Sequence, residues 1–174
     1  MELRDKVVVV TGGASGIGTG LCRRFREEGV RGLVIADLNG DAAAELAAEL
    51  DGRSVSLDVR DEAAIAAMVA EIEAEFGQID LFCSNAGILN LDGDDYWATS
   101  SSNEVWQRNW EVHVMAHIYA ARACLPGMIK RGEGYFLHTV SAAGLLTQPY
   151  TAAYATTKHA AIGFAESLAI THGD

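Results

Sequence analysis

Four consecutive valines, Val7 to Val10, run straight into Thr11-Gly12-Gly13-Ala14-Ser15-Gly16-Ile17-Gly18, and this junction constrains the fold more than any other feature. β-branched residues without polar alternation form a strand buried on both faces, and Lys6 to Thr11 reads as that strand. Ile17, Leu21 and Phe25 then recur every four residues, so a helix opens inside the glycine run and stops at Gly29. Glycines at such a junction let the chain turn tightly and bring bare backbone N–H groups against a ligand. The helix N-terminus adds a partial positive charge suited to a pyrophosphate. Between a buried strand and an opening helix, the turn reads as dinucleotide-binding, with a plain structural turn as the alternative. Its spacing, three residues between Gly12 and Gly16 and one between Gly16 and Gly18, differs from the commoner G-x-G-x-x-G.

The alternation of short apolar runs and helical stripes continues along the chain. Leu33 to Ala36, Ser54 to Leu57, Ile79 to Cys83 and Tyr135 to Val140 read as strands. Asp41 to Leu50, Asp61 to Phe76, Glu104 to Met128 (with Pro126 near its end) and Ala152 to Thr171 read as helices. Asn90 to Asn103 is polar and reads as a surface loop or short helix. Apolar strands each followed by a helix predict an α/β fold: a doubly wound, Rossmann-like parallel sheet with helices on both faces. Residues 1–174 read as a single domain.

Composition narrows the partners. At 49% hydrophobic the chain is too apolar for disorder, and its net charge of -11 repels nucleic-acid backbones and anionic membranes. Neither class of partner is expected. No apolar run approaches the roughly 18 residues of a membrane span, and Met1 to Val10 lacks a signal-peptide core. Cys22, Cys83 and Cys124, odd in number and widely spaced, read as reduced thiols, so a cytoplasmic location is expected. The histidines show no metal-ligand spacing with acids or cysteines, and no metal is expected. Trp97, Trp106 and Trp110 are expected to pack in the core, with stacking on a substrate as the alternative.

Asp37 closes the second strand about 20 residues after the glycine turn. A carboxylate there accepts both ribose hydroxyls of an adenosine and repels a 2′-phosphate, which favours NAD over NADP. No Lys or Arg stands at Ala14, Ser15 or Leu38 to draw in that phosphate. The alternative is a solvated turn residue or helix cap.

With Thr11 to Gly18, Ser84-Asn85-Ala86-Gly87, Ser141 and Tyr154-Ala155-Thr156-Thr157-Lys158 in this order, the chain resembles the short-chain dehydrogenase/reductase family, smaller dehydrogenase branch. The resemblance implies that Gly12, Ser15, Gly16, Ile17 and Gly18 wrap the pyrophosphate and adenosine ribose. It implies that Asp58 and Val59 hold the adenine, and that Asn85, Ala86 and Gly87 line the cofactor. Ser141, Tyr154 and Lys158 match the family's catalytic Ser, Tyr and Lys.

Chemistry supports that match independently. Tyr154 and Lys158 are four apart on a helix and share a face. An unperturbed phenol is too weak a base at neutral pH, and a neighbouring ammonium favours its anion. Ser141 follows a strand at the carboxyl edge of the sheet, where its hydroxyl holds the substrate oxygen while Tyr154 exchanges the proton. The implied function is NAD(H)-dependent oxidation of a secondary alcohol to a ketone, or the reverse. An NAD-binding regulatory or scaffold protein without turnover is the alternative.

Two departures stand out. His113 replaces the Asn that, in the family, helps a water-linked proton path to the Lys. A histidine there implies a different pH response, or is merely a packed helix residue. Asn109, a turn earlier, substitutes only if the helix is locally distorted. The family also continues beyond the last helix with further strands, so its C-terminal strands are expected to be missing here. Small residues on the helices at Ala116–Ala123 and Ala160–Ala165 match the surfaces that pair between subunits in the family, which implies a homodimer or homotetramer.

Overall fold

In the computed structural model, which describes residues 1–173, the valine run is the middle strand of a five-stranded parallel sheet. β1 (Val7–Thr11) is buried along its whole length. α1 (Gly16–Glu27) returns the chain to β2 (Gly32–Asp37), and α2 (Gly40–Glu49) carries it to β3 (Arg53–Ser56). α3 (Glu62–Phe76) crosses back to β4 (Leu81–Ser84) on the other side of β1. Then α4 (Asn103–Trp110), a π-helical segment (Glu111–Met115) and α5 (Ala116–Arg131) lead to β5 (Tyr135–His138). A 3₁₀ turn (Ala142–Gly144) and α6 (Ala152–His172) follow. The strand order β3-β2-β1-β4-β5 reverses direction between β1 and β4, the switch point at which this architecture opens a crevice for ligands.

The period-2 geometry of β1 explains why all four valines are needed. Val7 and Val9 join the cluster of Ile65, Met68, Val69 and Ile72 from α3 and Ala120, Cys124 and Met128 from α5. Val8 and Val10 join Cys22 and Phe25 of α1 and Ala43, Leu46 and Ala47 of α2. Each fully buried valine contributes about 1.5–3 kcal/mol of apolar burial, so polar alternation on either face would forfeit one layer of helices. Asp80 fastens the two central strands at their start: its buried carboxylate accepts the Val7 N–H at 2.7 Å and the Gln78 amide at 2.6 Å.

The fold is the doubly wound α/β sheet that the sequence predicts, with differences at particular elements. The helix expected over Glu104 to Met128 is interrupted by the π-helical turn and extends to Arg131 past Pro126. Val112, His113 and Val114, successive residues of that turn, are all buried. The tryptophans are not core residues. Trp97 is 68% exposed and Trp110 42% exposed, and Trp106 is half-buried, because the loop and α4 lie outside both apolar layers. The three cysteines are buried free thiols, and burial pushes those of Cys22 and Cys124 up to about 12. No described helix is long and apolar enough to cross a membrane.

Candidate active site

The glycine turn is shaped by close approach. A Cβ on Gly18 would lie 2.0 Å from the Gly12 carbonyl oxygen, and one on Gly12, where φ is +63°, would lie 2.8 Å from Ala86 Cα. Gly16 also has a positive φ, +51°, but its Cα faces open space. Ser15 is the N-cap of α1, yet its side chain makes no capping bond, and the first turn holds no acidic residue. Ser15, Gly16 and Ile17 therefore present an exposed, uncapped helix start with its amide hydrogens unclaimed by side chains. Behind them Asn85 donates through Nδ2 to the carbonyls of Thr11 (3.0 Å) and Gly12 (3.2 Å), while its buried Oδ1 has no partner. An uncapped helix start and an open glycine face fit a pyrophosphate-bearing dinucleotide.

Asp37 braces this turn. Its Oδ2 accepts the Ala14 N–H at 3.0 Å and its Oδ1 the Asn39 N–H at 2.9 Å. Each carboxylate oxygen keeps lone-pair capacity for a ribose hydroxyl. Asp58 is engaged by Arg60, whose guanidinium donates at 2.6 Å and 3.0 Å and holds the carboxyl below the usual carboxylate range. Val59 packs against the α3 and α5 layer.

Ala86 and Gly87 carry this side of the crevice to the other. A Cβ on Gly87 would stand 3.6 Å from both Lys158 Nζ and His113 Nε2. Lys158 is 3% exposed, and burial pushes its ammonium down to about 8. It donates to the Thr139 carbonyl at 3.2 Å, and its Nζ lies 5.6 Å from the centre of the half-buried Tyr154 ring. Ser141 caps the 3₁₀ turn: its Oγ accepts the Ala143 N–H at 3.1 Å, which leaves its own hydrogen free to donate.

His113 stands edge-on to Tyr154, ring centres 5.3 Å apart. The Ile88 N–H donates to its Nε2 at 3.0 Å, so that nitrogen is bare and the proton sits on Nδ1, 2.9 Å from Thr157 Oγ1. Thr157 in turn donates to the carbonyl of Ala153 or Tyr154. Burial, and next the Lys158 charge, push His113 down to about 3. His113 is therefore held in its neutral form near neutrality. Asn109 points elsewhere despite the local distortion, donating to Asn90 Oδ1 at 3.1 Å and the Val105 carbonyl at 2.8 Å.

Sequence reasoning missed several supporting groups. Thr11 Oγ1 accepts the Asn85 N–H at 3.0 Å and donates to the Cys83 carbonyl at 3.2 Å, tying the two motifs together. A threonine closing an all-valine strand was the available signal. Thr139, Thr157 and Asp92 carry no local pattern that marks them.

A doubly wound parallel sheet with a glycine turn at its switch point, and with Ser141, Tyr154 and Lys158 following its last strand, defines the class as Rossmann-like. The short chain dehydrogenase family model matches residues 6–174, and the chain belongs to that family. It is 37% identical to a 1-deoxy-11-beta-hydroxypentalenate dehydrogenase of Streptomyces exfoliatus, over 97% of this chain and 62% of that protein. It is 34% identical to a 2-dehydro-3-deoxy-L-rhamnonate dehydrogenase (NAD(+)) of Sphingomonas sp. (strain SKA58), over 94% of this chain and 64% of the relative. Among solved structures, a short chain dehydrogenase/reductase from Burkholderia phymatum in complex with NAD superposes with a TM-score of 0.91 at 29% identity, covering 98% of this chain and 61% of that one. The chain thus spans less than two thirds of the length of these relatives.

Proposed function

We propose that the protein is an NAD(H)-dependent oxidoreductase interconverting a secondary alcohol and a ketone, with residues 1–174 forming a single cofactor-binding and catalytic domain. The observation that carries this reading is the convergence of Lys158, Tyr154 and the Asn85–Gly87 turn on the crevice where the glycine turn opens. The relatives named as dehydrogenases, one of them NAD(+)-linked, and the neighbour solved with NAD support it.

In this reading Gly12, Ser15, Gly16, Ile17 and Gly18 hold the pyrophosphate and adjoining ribose, and Asp37 takes the adenosine ribose hydroxyls. Asp58 and Val59 hold the adenine, for which Asp58 must share its carboxylate with Arg60. Asn85, Ala86 and Gly87 form the inner wall, with Tyr154 and Lys158 at the nicotinamide end. When bound, the nicotinamide supplies hydride exchange. Ser141 donates its free hydrogen to the substrate oxygen. Tyr154 takes the proton from that oxygen, or returns it, while the buried ammonium of Lys158 stabilises the phenolate. His113, neutral and bonded through both nitrogens, holds Ile88 and the Thr157 hydroxyl in place beside the pair.

The partners proposed are a small alcohol or ketone and a second copy of the chain, as homodimer or homotetramer, in the cytoplasm, where the free buried thiols stay reduced. The test is separate titration of NADH and NADPH, followed by turnover of secondary alcohols in the protein and in Tyr154→Phe. NADH is expected to bind at least about tenfold tighter, and the variant to keep that affinity while losing about 10²–10⁴ in rate. Equal binding of both nucleotides removes the role of Asp37, and unchanged turnover in Tyr154→Phe removes the mechanism.

A further inference from the structure

Between the Asn85–Gly87 turn and α4, alternate residues of one short segment are fastened to the protein. The Ile88 N–H is bonded to His113, Asn90 Oδ1 accepts from Asn109, and the Asp92 carboxylate accepts the Ala152 N–H at 3.0 and 3.1 Å. Leu89 and Leu91, between them, are exposed. The Asp92 tie differs from the other two because it reaches the helix that carries Tyr154 and Lys158.

Asp92 is 7% exposed, and its carboxylate also accepts from Ser101 Oγ at 3.2 Å. The bond to Ala152 caps the start of α6 from a loop 60 residues away. A helix start normally draws its cap from its own N-cap side chain. Here Thr151 turns its hydroxyl to the Gln148 carbonyl at 3.1 Å and makes no capping bond, and Asp92 instead accepts the N–H of Ala152, the first residue of α6. The tie is reciprocal: the Asp92 N–H donates to the Tyr150 carbonyl at 2.8 Å. Tyr150 has a φ of +65°, in the left-handed region, and the Tyr96 ring meets its ring edge-on at 5.3 Å. Four residues beyond this junction stands Tyr154, in the first helical turn, whereas Lys158 lies one turn deeper. A carboxylate at a helix N-terminus holds the first turn by both hydrogen bonding and the helix dipole.

We propose that Asp92 is a positioning residue: it clamps the first turn of α6, and with it the Tyr154 phenol, in register with Lys158 and with the segment bordering the site. The proposal rests on the oxidoreductase reading of that site. Its energetic basis is the loss of the acceptor for Ala152, which would fray the turn that fixes Tyr154 without touching the deeper turn that fixes Lys158.

The experiment compares Asp92→Ala and Asp92→Asn by amide hydrogen exchange, NADH binding and NAD⁺-dependent oxidation of cyclohexanol. In Asp92→Ala, amides 152–156 are expected to exchange about tenfold faster while α3 and NADH affinity stay unchanged. The kcat should fall about tenfold with the KM for NAD⁺ unmoved. Asn keeps one acceptor oxygen for Ala152 and should restore most of both effects. Unchanged exchange at 152–156 in Asp92→Ala overturns the clamp. Faster exchange with unchanged kcat overturns the positioning role. A parent protein that binds NADH but shows no turnover sinks the oxidoreductase reading and the positioning role with it, while exchange still decides whether the clamp exists.

Discussion

Lowering the pH from 7.5 to 5 should remove a calculable part of the stability through two buried histidines. His113 and His117 are 0% and 1% exposed, and burial is the largest cause pushing each down to about 3. In the unfolded chain both titrate at the ordinary value, 6.5. Between those limits the unfolded chain binds protons that the native chain refuses, so stability is full above about pH 6.5 and falls as the pH drops towards 3. At pH 5 the loss is set almost wholly by the unfolded midpoint. It is about 1.4 kcal/mol for each pH unit below 6.5, or about 2 kcal/mol per histidine and about 4 for the pair. Against a total of about 5–15 kcal/mol for a domain of this kind, that is a large fraction. The hydrogen bonds give the same direction, since a proton on His113 Nε2 would face the Ile88 N–H that now donates to it. The assay is urea unfolding at both pH values, in the protein and in His113→Asn. Asparagine cannot titrate, so the variant should lose about 2 kcal/mol less than the parent across this range. It should also retain or raise turnover at neutral pH, because neutral His113 holds its neighbours without exchanging charge. Identical pH dependence in the two proteins would refute the buried, neutral histidine. Complete loss of turnover in a folded His113→Asn would refute the supporting role.

Two further substitutions test the crevice. Gly18→Ala places a methyl carbon against the Gly12 carbonyl oxygen at 2.0 Å, and should destabilise by about 1–3 kcal/mol and abolish NADH binding; a variant that melts and binds like the parent would refute the close approach. Lys158→Met removes an ammonium that burial has pushed from 10.5 to about 8, so at pH 7 it should stabilise the fold by up to about 3 kcal/mol while losing turnover, and a lower unfolding midpoint would refute the desolvation argument.

The features legible in the sequence are those whose physics is local. Four valines bury both faces of one strand whatever the rest of the chain does, and glycines beside a helix start expose amides through their own geometry. Tyr154 and Lys158 share a face by helical spacing alone. What stays hidden is the support these residues need, because its partners lie far apart in the chain. His113 meets Thr157 across 44 positions and Asp92 meets Ala152 across 60. The π-helical turn belongs with them: periodicity over Glu104 to Met128 shows one regular helix, whereas the observed seating of His113 between Ile88 and Thr157 accompanies a wider turn. Thr11 and Asp80 lie between these extremes. Each is a polar residue at the end of an apolar strand pattern, where a buried side chain must find a partner, and each found it on the neighbouring strand or its flanks. A polar residue at such a place signals a cross-strand tie from the pattern alone, though not which strand receives it. The chemistry of this site is thus written in local patterns, and its rigidity in contacts that only the sheet order brings together.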